Sequence, residues 1–209
     1  MCGALREAHA LGLVHRDVKP GNVMVCRIGG RADVAKLLDF GLVHDPGHHD
    51  PDTKLTRAGG ILGTPEFMSP EQARGDPAPD ARGDLYSLGA TAYYALTGRP
   101  PFARPTVIET LYAHLNSPVP PPAELRPDVP ADLQAVVIRC LAKDPAGRFP
   151  DAASLERAIA GCACADGWGE DQAVAWWLAV PEPGGPPAPD APRGTITFVP
   201  ADPPTRTRA

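Results

Sequence analysis

The stretch His15-Arg16-Asp17-Val18-Lys19-Pro20-Gly21-Asn22 places a carboxylate, an ammonium and an amide on one short loop, and Asp39-Phe40-Gly41 brings a second carboxylate seventeen residues after Asn22. Phosphoryl transfer is a chemistry that needs such groups. It requires a carboxylate beside the attacking hydroxyl, oxygen ligands for magnesium, and a turn that gathers both around the transferred phosphate. Any one of these residues alone is an ordinary turn residue; the set in this order is not.

The run HRDVKPGN followed by DFG resembles the catalytic loop and metal-binding motif of protein kinases. The resemblance implies that Asp17 accepts the substrate hydroxyl proton and that Lys19 neutralises charge on the transferred group. It further implies that Asn22 and Asp39 each give oxygen to a Mg²⁺ ion, with ATP as co-substrate. His15 opens the catalytic loop, and Phe40 and Gly41 complete the metal motif. The likeness continues in GTPEFMSPEQ, similar to the end of a kinase activation segment with Ser69 in place of the usual alanine before Pro70-Glu71. In DLYSLG it assigns Asp84 to the backbone of the catalytic loop, and in KDPAGRF it pairs Arg148 with Glu71. Lys19 and Thr64 resemble the serine/threonine rather than the tyrosine kinases, with Thr64 expected to bond Asp17 and Lys19. Arg16 implies a phosphate receptor for the activation loop, with Thr56 the first candidate acceptor and Thr53 the second. The style of these motifs is that of bacterial kinases of the eukaryotic type, and protein substrates are the partners they imply.

These residues need elements to hold them. Leu5, Ala8, Leu11 and Gly12 predict the end of a helix over 3–12, and NVMVC and DVAKLL predict a hairpin turning at Gly29-Gly30. Residues 42–68 show no usable period, and a loop of that length is expected to be functional or disordered. Helical patterns follow at 83–98, 105–116, 131–142 and 151–161, the first apolar nearly all round and therefore expected to be central and buried. The proline-rich run PVPPPAELRPDVP is read as an extended connection. Ala173, Trp176, Trp177 and Val180 share one helical face, and the three tryptophans, Trp168 included, are expected to cover the base of the helical layer. The fold class expected is kinase-like α+β, mainly the α-helical C-terminal lobe with a small β-hairpin at the catalytic and metal loops. It is divided into a kinase lobe at 1–161, an appended amphipathic helix at 162–180 and a disordered tail at 181–209 that holds nine prolines.

Composition narrows the remaining classes. A chain of 209 residues with 43% hydrophobic content can bury one good core, and a net charge of -5 with no basic stripe argues against nucleic acid as a partner. Five scattered cysteines fit reduced thiols in the cytoplasm, and no apolar run is long enough for a membrane span. The pair Cys162 and Cys164 lacks a second pair at zinc-like spacing, and His44, His48 and His49 fall among prolines and glycine that forbid a metal-binding helix. A complete kinase carries a Gly-rich loop and a strand lysine before its catalytic loop, and the fourteen residues before His15 hold neither. Lys36 stands only three residues before Asp39 and does not substitute for that lysine. The expectation is a lobe without its ATP-binding partner, inactive alone and completed by the missing N-terminal lobe or by a partner kinase. The competing expectation is a non-catalytic docking module.

Overall fold

A computed structural model describes residues 1–39, 64–76 and 80–179. Phe40, Gly41, Thr53, Thr56, the histidines of 44–49 and the tail at 181–209 lie outside the described residues.

Helix α1 (Cys2–Ala10) lays Cys2, Leu5 and Ala8 against the core. The hairpin pairs β1 (Val23–Ile28) with β2 (Arg31–Leu37) antiparallel, Val23 opposite Leu37 and Cys26 opposite Val34, with an irregularity between Cys26 and Ile28. Gly29 and Gly30 both sit at positive φ, 59° and 81°, where a tight turn follows the right-handed twist of its strands and side chains are strained.

Helix α2 (Pro70–Arg74) starts on a capping box in which the Ser69 hydroxyl accepts from the Gln72 N–H and Gln72 reaches back to the Ser69 N–H. Helix α3 (Ala81–Thr97) is capped by Asp80 and buries a continuous run from Gly83 to Ala90. Helix α4 (Val107–Asn116) opens on a second capping box, Thr106 with Glu109. The proline-rich connection is not wholly extended, because it contains a one-turn helix, α5 (Pro122–Leu125), with proline at the helix start where its missing N–H costs nothing. Helices α6 (Ala131–Cys140), α7 (Ala152–Ala160, capped by Asp151) and α8 (Glu170–Ala179) complete the described chain.

The core lies around α3. On one side Leu85 and Leu88 meet Leu5, Val18, Leu37, Cys140, Phe149 and Leu155, so one apolar cluster joins α1, the loop after it, β2, α6 and α7. On the other side Tyr86, Ala90 and Tyr93 meet Val137 and Leu141, with Phe67 against them. A Cβ built on Gly89 would fall 2.4 Å from the Cys140 Cβ, so glycine is what allows α3 and α6 to approach this closely. Helix α1 packs along α7 and ties to it at the surface through Arg6 and Glu156, 2.8 Å apart.

The tryptophans do not cover the base of the helical layer. The indoles of Trp168 and Trp177 bond Asp33 on β2, so α8 lies on the hairpin. Of its expected apolar face Val180 lies outside the described residues; among the described ones only Ala173 is buried, while Trp176 is 42% exposed.

Candidate active site

The loop between α1 and β1 takes its shape from one buried carboxylate. Asp84 of α3 accepts the His15 N–H at Oδ2 and the Arg16 N–H at Oδ1, each at 2.7 Å. His9 of α1 lies with Nε2 2.8 Å from the same Oδ2; since a carboxylate only accepts, the proton is on His9. These bonds hold Arg16 at φ 65°, a conformation side chains rarely adopt. The Arg16 carbonyl accepts from Gln72 Nε2 at 2.6 Å, which ties the loop to α2.

His15 is fully buried, and its tautomer follows from its neighbours. Nδ1 accepts the Asp17 N–H at 3.2 Å, so the Nε2 proton goes to the Leu38 carbonyl at 2.9 Å. This imidazole therefore bridges the loop and the end of the hairpin. A second bridge, Leu38 N–H to the Asn22 carbonyl at 2.8 Å, fixes the backbone next to Asp39 against Asn22.

Within this frame Asn22 gives one amide proton to the Asp17 carbonyl at 2.8 Å and the other to Asp17 Oδ2 at 2.9 Å. Lys19 Nζ also reaches Asp17 Oδ2, at 2.8 Å. Asp17, Lys19 and Asn22 are thus one connected group, and Oδ1 of Asp17 carries none of these bonds. Asp39 is exposed, at φ 53°. Asn22 Oδ1 and the Asp39 carboxylate are hard oxygen donors of the kind Mg²⁺ takes, usually one or two from protein with waters and phosphates completing the shell. Among the described residues there is no group of three or more His, Cys, Asp or Glu that could hold a metal ion.

Thr64 stands at the N-cap position of the turn Pro65–Phe67, with no side-chain capping bond. Among the described residues no hydrogen bond joins it to Asp17 or Lys19.

Glu71 and Arg148 meet in the interior. Arg148 Nη1 and Nη2 donate to Glu71 Oε1 and Oε2 at 2.7 and 2.9 Å, with both residues under 5% exposed. The remaining donors of Arg148 go to the carbonyls of Arg82, Ala142 and Lys143, so all five N–H groups are placed. The guanidinium also lies 4.8 Å over the Tyr86 ring.

Behind the Pro65–Phe67 turn, Tyr86 OH and His114 Nδ1 are 2.8 Å apart and Phe102 packs edge-on to the imidazole. Burial, with the Lys143 charge nearby, pushes His114 down to about 4. The Glu66 backbone favours the protonated ring, yet no acceptor stands in hydrogen-bonding geometry at Nε2. Burial and the nearby Arg148 likewise bring Lys143 down to about 8, and burial raises Tyr86.

His9, Gln72 and Lys143 were not among the sequence candidates. Only Gln72 left a signal there, as the fourth residue of a Ser-x-x-Gln capping pattern.

A carboxylate held by a neighbouring amide and lysine, with a second acid one hairpin away, is an arrangement that phosphoryl-transfer chemistry can use. The protein kinase domain family matches residues 1–157, and the chain belongs to that family. It is 45% identical to the serine/threonine-protein kinase Pkn1 of Myxococcus xanthus over 159 residues, 76% of this chain and 22% of Pkn1. It is 40% identical to the serine/threonine-protein kinase PknB of Mycobacterium tuberculosis over 154 residues, 74% of this chain and 24% of PknB. A probable serine/threonine-protein kinase of Corynebacterium efficiens is 39% identical over 159 residues, 74% of this chain and 23% of its own length. The chain therefore spans about a quarter of the length of these curated relatives.

Proposed function

We propose that the chain is the helical, C-terminal lobe of a serine/threonine protein kinase, which transfers the γ-phosphoryl group of ATP to protein hydroxyls with Mg²⁺. The observation that carries this reading is the bonding of Asp17. Asn22 and Lys19 both engage Oδ2, which orients the carboxylate and leaves Oδ1 to receive the proton of a serine or threonine hydroxyl. Lys19 sets a positive charge beside the path of the transferred group. Asn22 and Asp39 would hold Mg²⁺, which when bound neutralises phosphate charge and fixes phosphate orientation. His15 and the Leu38 amide keep those two residues at constant spacing, and Asp84 holds the loop that presents Asp17. Arg16 would receive a phosphate placed on Thr56 or Thr53. We assign the kinase lobe to 1–161 and place its work in the cytoplasm, where its five cysteines stay reduced.

The 209 residues contain no G-x-G-x-x-G run. Positioning the triphosphate thus falls to an N-terminal lobe or a partner kinase, and the chain alone should be nearly inactive, because this reaction depends on positioning. The test joins the chain to the N-terminal lobe of a relative such as Pkn1 and follows phosphate transfer to a generic protein with Mg²⁺. Asp17→Asn should lower kcat by about 10² to 10⁴. Equal kcat in variant and parent would remove Asp17 from its role.

A second reading, a non-catalytic docking module, draws on the exposed face of α4. Ile108 is 75% and Tyr112 64% exposed beside a shallow groove that reaches Arg104 and Ser117. Phosphate transfer abolished by Asp17→Asn would exclude it.

A further inference from the structure

Helix α8 lies beyond the residues matched by the kinase family and still docks on the part of the fold that carries the site. Its fastening converges on one residue. Trp168 Nε1 donates to Asp33 Oδ2 at 2.7 Å and Trp177 Nε1 to Asp33 Oδ1 at 2.6 Å, so one carboxylate is gripped by two indoles from both ends of the segment. The Ala32 N–H donates to Glu170 Oε1 at 3.2 Å beside them, and Ala173 is buried. Asp33 sits at φ 55°, off the regular strand, where Asp is among the few side chains tolerated. Hydrogen bonds to a charged acceptor are stronger than neutral ones, so this is a firm attachment for a helix that otherwise buries little.

What it attaches to is a two-stranded sheet, a structure that is marginal when unsupported. Strand β1 starts immediately after Asn22, and β2 ends at Leu37, two residues before Asp39. We propose that residues 165–179 are a brace, clamped through Trp168 and Trp177 on Asp33, that steadies the hairpin and so fixes the spacing of Asn22 and Asp39. Asp33 and the two tryptophans are positioning residues. The role given to Asn22 and Asp39 rests on the function proposed above; the mechanical part does not.

The Leu38 N–H bond to the Asn22 carbonyl reports that spacing directly. In the full chain, amide hydrogen exchange is measured for Leu38 and, as controls, for Ala90 and Tyr93 of α3. Replacing both indoles, Trp168→Phe with Trp177→Phe, keeps rings but removes the donors. Exchange at Leu38 should rise about tenfold or more with the α3 amides unchanged, as expected when a local opening loses a charged hydrogen bond. Asp33→Asn, which keeps shape and left-handed backbone, should give a smaller rise in the same place and serves if the double variant does not fold. Unchanged exchange at Leu38, or equal acceleration at Leu38 and in α3, would overturn the brace. Mn²⁺ alone, titrated while the resonances of Asn22 and Asp39 are followed, separates the two layers. In the parent chain it should broaden both, and in the double variant it should bind several-fold more weakly. No broadening in the parent would sink the metal role of Asn22 and Asp39 and leave the exchange result to decide the brace; equal Mn²⁺ affinity in both proteins would overturn the claim that the brace sets their spacing.

Discussion

Removing either partner of the Glu71–Arg148 pair should lower the melting temperature sharply. Arg148 is 2% exposed, and each of its five donors ends on an acceptor. In Arg148→Met the Glu71 carboxylate, 4% exposed, loses both of its donors, while the carbonyls of Arg82, Ala142 and Lys143 each lose one. An unpaired buried charge costs about 3 to 5 kcal/mol. For a domain of this size each kcal/mol is worth about 2 to 4 °C, so the melting point should fall by about 6 to 20 °C. Glu71→Gln should also destabilise, and Glu71→Gln with Arg148→Met should cost less than the sum, because the double variant leaves no lone charge inside. The contrast is Arg6–Glu156, whose side chains are 55% and 47% exposed; Arg6→Ala should cost under about 1 kcal/mol, and that cost should fade with added salt. Thermal unfolding followed by circular dichroism reads all of these. A parental melting temperature in both buried single variants would refute the reasoning.

Gly89→Ala should destabilise by about 1 to 3 kcal/mol in urea unfolding, because a Cβ 2.4 Å from the Cys140 Cβ forces α3 and α6 apart; a parental midpoint would contradict that packing. His114 makes stability depend on pH. Its folded value of about 4 is below the ordinary 6.5, so between these values the unfolded chain holds the extra proton and stability falls as pH falls, by about 3 kcal/mol in full. His114→Phe should flatten that slope, and an unchanged slope would place its origin elsewhere. Asp84→Asn turns an NH₂ toward loop donors that Asp84 now accepts, and amide exchange at His15 and Arg16 should rise by at least about tenfold; no rise would mean that the loop is held by other contacts.

The local parts of the site could be read from the chain before any fold was known. The loop at 15–22 and the Gly29-Gly30 turn depend on neighbours in sequence, where spacing and backbone preference act directly. The same holds for the long helices, whose apolar period marks them, although their ends moved by one or two residues where Asp80, Thr106 and Asp151 supplied caps. What escaped is long-range or short-lived in pattern. Nothing near Asp33 announces indoles 135 and 144 residues away. Helices α2 and α5 are each about one turn long, too short for a hydrophobic period, and α5 hides among prolines. Arg148 showed one expected partner, but three carbonyls also hold it, and a backbone oxygen leaves no mark in a sequence.

The packing of α1 on α7 also has a consequence for how the chain is made. Helix α1 is completed by a helix made much later: Arg6 waits for Glu156, 150 positions on, and Leu5 for Leu155. At roughly 5 to 20 residues per second that interval is about 8 to 30 seconds, during which α1 lacks the cover that α7 gives it. Closing so long a loop also comes late in folding, since its entropy must be lost before its contacts form. Helix α1, which helps anchor the catalytic loop through His9, thus reaches its full native packing only once α7 has been made.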